Sequence, residues 1–396
     1  MRKNNLFVRS LAMGFVAAGA LAFTACDNAD NSVPGDDVVV VPHVPGIPSD
    51  DSATPNPEVL PEDINTVLPN FNYSVERENN FLVIRFDMTG VKDPYTNDWL
   101  RLYGPGDSRQ NVWLSIDDVP KGFSIYNTID DASDKDLSAV DLVFLVDNSG
   151  SMSQEANAIA RDIIQWSNKL AQTLDVQFAC VGYSEYGTIN GGVDFTDANT
   201  LSDYLNRSSG TYRTMGYGGS NAADIEEAAN EMNQNRVSDE CGVMALKFAD
   251  QTYNFRTGAN RIYVNFTDEP NQPGGKEEYS TEWVKDLGNW PPTKGTIHTV
   301  YSASNNWSET LYYKEHPWNL SEYTGGTTLF ANSYFTNVTL DDLPVTGALL
   351  NSYIIKFTNI EEIFDGQKHV VRITVKSTSE NGTILADKTF EIIFEQ

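Results

Sequence analysis

The chain has 396 residues, with 55 acidic against 27 basic side chains and a formal net charge of −28 at pH 7. A balance this acidic repels nucleic acid and anionic lipid headgroups, which excludes nucleic-acid binding and any electrostatic hold on a membrane. With 40% hydrophobic and 11% aromatic residues the chain can bury real cores, and its length suits two compact units plus a tail.

Residues 1–25 carry Arg2, Lys3 and Arg9, then an apolar run at 11–23, then Thr24, Ala25 and Cys26. A basic start, an apolar middle and a small-residue cleavage site make an export signal. Its end resembles the bacterial lipobox, with Phe23 where Leu is usual; the resemblance implies that Cys26 becomes the lipidated first residue of the mature protein. An ordinary secretory signal or an uncleaved anchor is the alternative. The Asp27-Asn-Ala-Asp30 that follows resembles the surface-export signal of Bacteroidetes lipoproteins, implying a lipid-anchored place at the outer membrane or cell surface and leaving a periplasm-facing one open. Removing three basic residues and no acid takes the charge from −28 to −31, so membrane association would rest on acyl chains.

From 26 to 70 the sequence is acidic and Pro-rich, without helical or strand period, and reads as a disordered, partly extended tether. Between 71 and 136 short alternating runs follow: Phe81-Leu-Val-Ile-Arg-Phe86, Trp99-Leu-Arg-Leu-Tyr103, Val112-Trp-Leu-Ser-Ile116 and Phe123-Ser-Ile-Tyr126. Gly, Pro and Asp clusters separate them, the grammar of antiparallel strands. The same grammar returns at 346–396, with an Asn381-Gly382 hairpin turn. The economical arrangement is one β-sandwich built from both ends, with the 137–345 segment inserted; two small β units are the alternative.

That middle segment alternates strands and helices as a doubly wound, mostly parallel α/β sheet requires. An apolar strand at 142–146 leads to a helix with apolar Ile159, Ile163, Trp166, Leu170 and Leu174; strands at 176–181, 262–266 and 297–301 and a helix at 222–232 follow. The first strand ends in Asp147-Asn-Ser149-Gly-Ser151, which sends one carboxylate and two hydroxyls into the crevice where open α/β sheets place ligands. Hard oxygen donors suit Mg²⁺ or Mn²⁺, or Ca²⁺ in a looser cage. The alternative is that these residues cap the next helix.

Asp147-x-Ser149-x-Ser151 resembles the metal-ion-dependent adhesion site of von Willebrand factor type A domains. The resemblance continues through Tyr217-Gly-Gly-Ser220, with Ser220 where the family has Thr, and through a strand ending in Thr267-Asp268-Glu269, with Glu269 where the family has Gly. It extends to Thr324-Gly325-Gly326 and the Tyr353-led strand, about half the chain. It implies that Ser149, Ser151 and Ser220 bind the metal directly, that Asp147 and Asp268 act mainly through water, and that a partner's acidic group fills an open position. Asn221, Asp224 and Glu269 are further candidate ligands.

With Cys26 acylated, Cys180 and Cys241 remain, an even pair in an oxidising compartment and candidates for a disulfide. Alternatively Cys180, inside Val176-Gln-Phe-Ala-Cys-Val181, is a buried small residue. Trp283, Trp290, Trp307 and Trp318, with Tyr301, Tyr312, Tyr313 and Tyr323, form either a contact patch or core packing. Asp130, Asp131, Asp134 and Asp136 lack the spacing of a Ca²⁺ loop. Four scattered histidines and no nucleophile elbow, Walker loop or zinc motif point away from an enzyme. The expected work is cation-dependent binding of a protein or extracellular-matrix partner. A structural subunit of a fimbrial tip or envelope complex, docking through the same domain, is the competing expectation.

Overall fold

A computed structural model describes residues 44–394 except 79, 128–138, 207–221, 236, 303–313, 333, 344 and 359. The export signal, Cys26, the acidic cluster at 130–136, and Trp307, Tyr312 and Tyr313 lie outside the described residues.

Two four-stranded antiparallel sheets face each other. One contains β1 (Phe71–Glu78), β2 (Phe81–Met88), β12 (Tyr353–Phe357) and β5 (Phe123–Asn127), in that order. The other runs β14 (Gly382–Ile392), β13 (His369–Ser379), β3 (Val112–Ile116), β4 (Val119–Pro120). The two-residue period turns Ile84, Phe86 and Phe357 of the first sheet and Leu114, Ile373 and Phe390 of the second into one shared core, where Phe71 stacks on Phe86 at 4.3 Å and meets the edge of Phe390 at 4.7 Å. Outward-facing side chains form a charge ladder, with Arg85 on Asp87 and Glu76, and Lys356 on Glu76 and Glu78. Each sheet mixes strands from both ends of the chain. Tyr353 lies opposite Asn127, so the chain leaves the sandwich and re-enters it on neighbouring strands, and the α/β unit sits between those two points.

The inserted sheet has the order β11 (Thr328–Ala331), β10 (Thr296–Ser302), β9 (Asn260–Thr267), β6 (Val140–Asp147), β7 (Val176–Ser184), β8 (Thr188–Thr196). All pairings are parallel except β7 with β8. All eight residues of β6 are buried, since helices cover both faces. On one side Leu142, Phe144 and Val146 meet Ile159, Ile163, Trp166 and Leu170 of α1 (Ala156–Leu170). On the other, Val143 and Leu145 meet the apolar body of α4 (Gly242–Thr252). The remaining helices are α2 (Ala198–Asn206), α3 (Ala223–Met232), α5 (Thr281–Lys285), α6 (Asn319–Thr324) and α7 (Val345–Leu350).

Three expectations are corrected. Residues 44–70 are an ordered strap, not part of a disordered tether: Val44 and Ile47 are buried with Val83, Asn56 donates to Thr374 Oγ1 at 2.9 Å, Asn65 N bonds Leu385 O at 3.0 Å, and Leu68 enters the sandwich core. Frequent Pro keeps the segment out of any ladder, while its scattered apolar residues still find cover. The run 99–103 is no strand beyond an isolated bridge between Lys92 and Trp99, because neighbouring side chains take its donors: Leu102 N bonds Tyr353 Oη, and Tyr103 N bonds Asn111 Oδ1. Cys180 and Cys241 do not pair with each other. They belong to separate cores on opposite faces of the sheet, and Cys241 donates to Asn271 Oδ1 at 3.1 Å. Of the described aromatics, Trp290 and Tyr301 are buried, so this part of the cluster is packing.

Candidate metal centre

β6 places Asp147, fully buried, at its carboxyl end. The chain turns there because Ser149 N donates to Asp147 Oδ1 at 3.0 Å, the local side-chain turn that Asp favours. The neighbouring β9 supplies Thr267, whose hydroxyl donates to Asp147 Oδ2 at 2.8 Å. The turn directs Ser149 Oγ to within 2.9 Å of Ser151 Oγ, and Ser151 Oγ donates to Asp268 Oδ1 at 3.0 Å. Two strand ends thus bring Asp147, Ser149, Ser151 and Asp268 into one connected group of oxygens. Contacts remote in sequence brace the loop: Gly150 N donates to Glu185 Oε1 at 3.1 Å, Asn148 N to Tyr183 O at 2.8 Å, and Asn190 Nδ2 to Asn148 Oδ1 at 2.7 Å.

Burial pushes Asp147 up to about 6 despite its hydrogen bonds from Ser149 and Thr267. Asp268 is pushed up to about 8, by burial first and then by the charge of Asp147, with Glu269 and Glu155 adding to it. Glu240, in the connection before α4, is likewise pushed to about 8 by burial and then by Asp147. The strongest charges acting on Asp268 are therefore all acidic. Buried carboxylates without compensating positive charge are costly, and a divalent cation supplies that charge. Among the described residues no three His, Cys, Asp or Glu side chains are grouped to hold a metal, so protein donors here are hydroxyls together with two carboxylates. That set suits a hard cation which keeps part of its water shell.

Ser220 and Asn221 lie outside the described residues. Asp224, in the first turn of α3, is exposed, and its Oδ1 accepts from Ile225 N; it has no bond to the four oxygens. Glu269 is half-buried, with its backbone tied to Thr267 Oγ1, and its charge reaches both aspartates. Sequence reading missed Glu185, Glu240 and Glu155. The last is buried, accepts from Ser302 Oγ at 2.7 Å, and has a second oxygen without a hydrogen bond. None of the three stands in a motif; only the fold brings them near.

Residues 141–287 match the von Willebrand factor type A domain. The match contains Asp147, Ser149, Ser151 and Asp268, so the four connected oxygens lie within the VWA domain. Comparison with curated proteins gives no match. Among solved structures, the chain is similar to three N-terminal domains of the type V pili tip protein Mfa5 from Porphyromonas gingivalis, at 12% identity and a TM-score of 0.22 over 52% of this chain and 27% of that one. It is similar to the PilB minor pilin from Streptococcus sanguinis, at 11% identity and a TM-score of 0.32 over 70% of this chain and 75% of that one. It is also similar to proximal thread matrix protein 1 from the mussel byssus, described with a zinc-occupied MIDAS motif, at 15% identity and a TM-score of 0.33 over 58% and 49%. This chain spans about a quarter of the length of the first of these proteins.

Proposed function

We propose that the VWA domain holds a divalent cation, Mg²⁺ or else Mn²⁺ or Ca²⁺, at Asp147, Ser149, Ser151 and Asp268, and through it binds an acidic group on a protein or extracellular-matrix partner. The observation that carries this reading is the connected run of oxygens from Asp147 to Asp268 at the mouth of the sheet, with acidic groups as its strongest neighbours. When bound, the cation would supply a positive charge with coordination positions open to an outside carboxylate. Ser149 and Ser151 would ligate it, and Asp147 and Asp268 would hold its water. Thr267 fixes the Asp147 carboxylate, and Glu185 fixes the loop through Gly150. Neutral hydroxyl ligands leave the ion under-neutralised, which favours an acidic partner.

In this reading the protein is not an enzyme. It is exported, anchored through acylated Cys26, and displayed at the outer membrane or cell surface. The experiment is adhesion of the purified protein to immobilised matrix proteins and to whole cells, in Mg²⁺ and in EDTA, beside Asp147→Ala. Binding that needs Mg²⁺ and is lost in the variant supports the reading. Binding that survives both EDTA and the substitution sinks it.

A further inference from the structure

At the end of the VWA sheet opposite the metal centre, a cavity of about 300 Å³ opens between the sandwich and the inserted domain. Its walls are the amino ends of β9 and β10, the residues that begin β1, the turn after β2, and α7. β9 has eight residues, so at about 3.3 Å per residue the two sites are roughly 23 Å apart. Strand alternation decides which side chains face the cavity. Ile262 of β9 and Val300 of β10 pack in one core with Val345 and Leu349 of α7, so Asn260 and His298, each two residues earlier on the same strand, point to the same face. α7 closes that face of the cavity through Val345 and Ala348. The indole of Trp99 lies against α7, where a Cβ on Gly347 would come within 2.7 Å of it.

The two polar side chains on that face offer hydrogen-bond donors. Asn260 is buried, and its Nδ2 has no hydrogen-bond partner. His298 is buried too, and its Nδ1 accepts from Thr327 N at 3.0 Å, which leaves the ring hydrogen on Nε2; among the described residues nothing accepts it. Burial pushes this imidazole down to about 4, so it stays neutral.

The charge around the cavity is positive. In a chain with 55 acidic against 27 basic side chains, the described wall contains Lys92 and Arg261 and no Asp or Glu. Lys92 Nζ has neutral partners, Asn97 Oδ1 at 2.9 Å and the Trp99 ring at 5.2 Å. Arg261 alternates to the far face, over the Phe255 ring, and shares Asp250 with Lys294, so one carboxylate answers two cations. Lys388 donates to Asn70 Oδ1 of the wall and is pushed down to about 8 by burial, with no acidic charge opposing that shift. Two buried donors call for an acceptor, the unanswered ammonium of Lys92 calls for negative charge, and Trp99, Ile262 and Val345 call for apolar cover. A carboxylate on a small apolar body meets all three, and the volume lies at the small end for ligand sites.

We propose that this interdomain cavity binds a small organic carboxylate, which accepts from Asn260 and His298 within the field of Lys92 and lays its apolar body against Trp99 and α7, at a site separate from the metal centre. A bound cation would also attract carboxylates, so the test is run in EDTA. It is calorimetry and ligand-observed NMR on the full chain with benzoate and hexanoate, beside benzamide as the neutral match, benzylamine as the cationic one and inorganic phosphate as a bare anion. Benzoate or hexanoate binds saturably in the high-micromolar to millimolar range, benzamide binds roughly tenfold more weakly, and benzylamine and phosphate do not saturate. Lys92→Gln and Asn260→Leu each weaken carboxylate binding by roughly five- to tenfold. Thermal melts identify folded variants, and the half-buried Lys92→Gln decides the matter if Asn260→Leu does not fold. The proposal is overturned if neither carboxylate saturates in EDTA, if benzamide, benzylamine or phosphate binds as tightly as the carboxylates, or if the folded variants bind as the parent does.

Discussion

Replacing Asp268 by Asn should stabilise the metal-free protein while removing its response to metal. Asp268 is 2% exposed and is pushed from 3.8 up to about 8 by burial and by Asp147. For an acid whose folded pKa is raised, stability is full below the unfolded pKa and is lost as pH rises through the folded one. At pH 7 the interval above 3.8 corresponds to a penalty of about 4 kcal/mol at 1.36 kcal/mol per pH unit, which coupling to Asp147 reduces to about 2–4 kcal/mol. Asn is nearly isosteric, and its Oδ1 still accepts from Ser151 Oγ, so the substitution removes charge and keeps the local bond. In EDTA, Asp268→Asn should melt several degrees above the parent. Added Mg²⁺ should raise the parent's melting temperature and leave the variant's unchanged, because an ion that binds only the folded state adds stability by mass action. A variant less stable than the parent in EDTA, or equally stabilised by Mg²⁺, would refute the argument.

Glu185→Ala frees Gly150 N from its brace and should weaken cation affinity by roughly three- to tenfold with little change in melting temperature, as read by calorimetry. Arg256 meets the fully buried Asp141 through both Nε and backbone N at 2.7 Å; Arg256→Met removes the guanidinium and leaves the carboxylate only the backbone N–H, which should cost about 3–5 kcal/mol in urea unfolding. His369 is held between Asp117 and Asp365, whose hydrogen bonds raise its pKa against the opposing effect of burial. Its stabilising contribution is complete below about 6.5 and is lost as pH rises through the higher folded value, so His369→Gln should flatten that part of the stability-versus-pH curve.

The loop after β6 was legible because an entirely apolar strand runs without interruption into alternating oxygen side chains; Asp147, Ser149, Ser151 and Asp268 are joined there by hydrogen bonds. The stripe of Ile159, Ile163, Trp166 and Leu170 gave α1, and Asn381 with Gly382 marked the hairpin that pairs Ser379 with Gly382. α4 was missed because it is apolar nearly all round, so buried on most sides that it presents no period. β8 was hidden by Asn190-Gly-Gly192 and by two register shifts against β7. The strap at 44–70 has the composition of a linker, and only its contacts with two sheets order it. Glu185 and Glu240 illustrate the remaining limit: groups that act on a site across loops leave no spacing to read.

The central claim is that this oxygen group is a cation site, and calorimetric titration of Mg²⁺, Mn²⁺ and Ca²⁺ into the chain from residue 27 onward tests it most directly, with the Asp147→Ala/Asp268→Ala double variant alongside. The account predicts saturable one-site binding of at least one of these ions to the parent and none to the variant. Equal heats from the two proteins, or no binding by the parent, would contradict it.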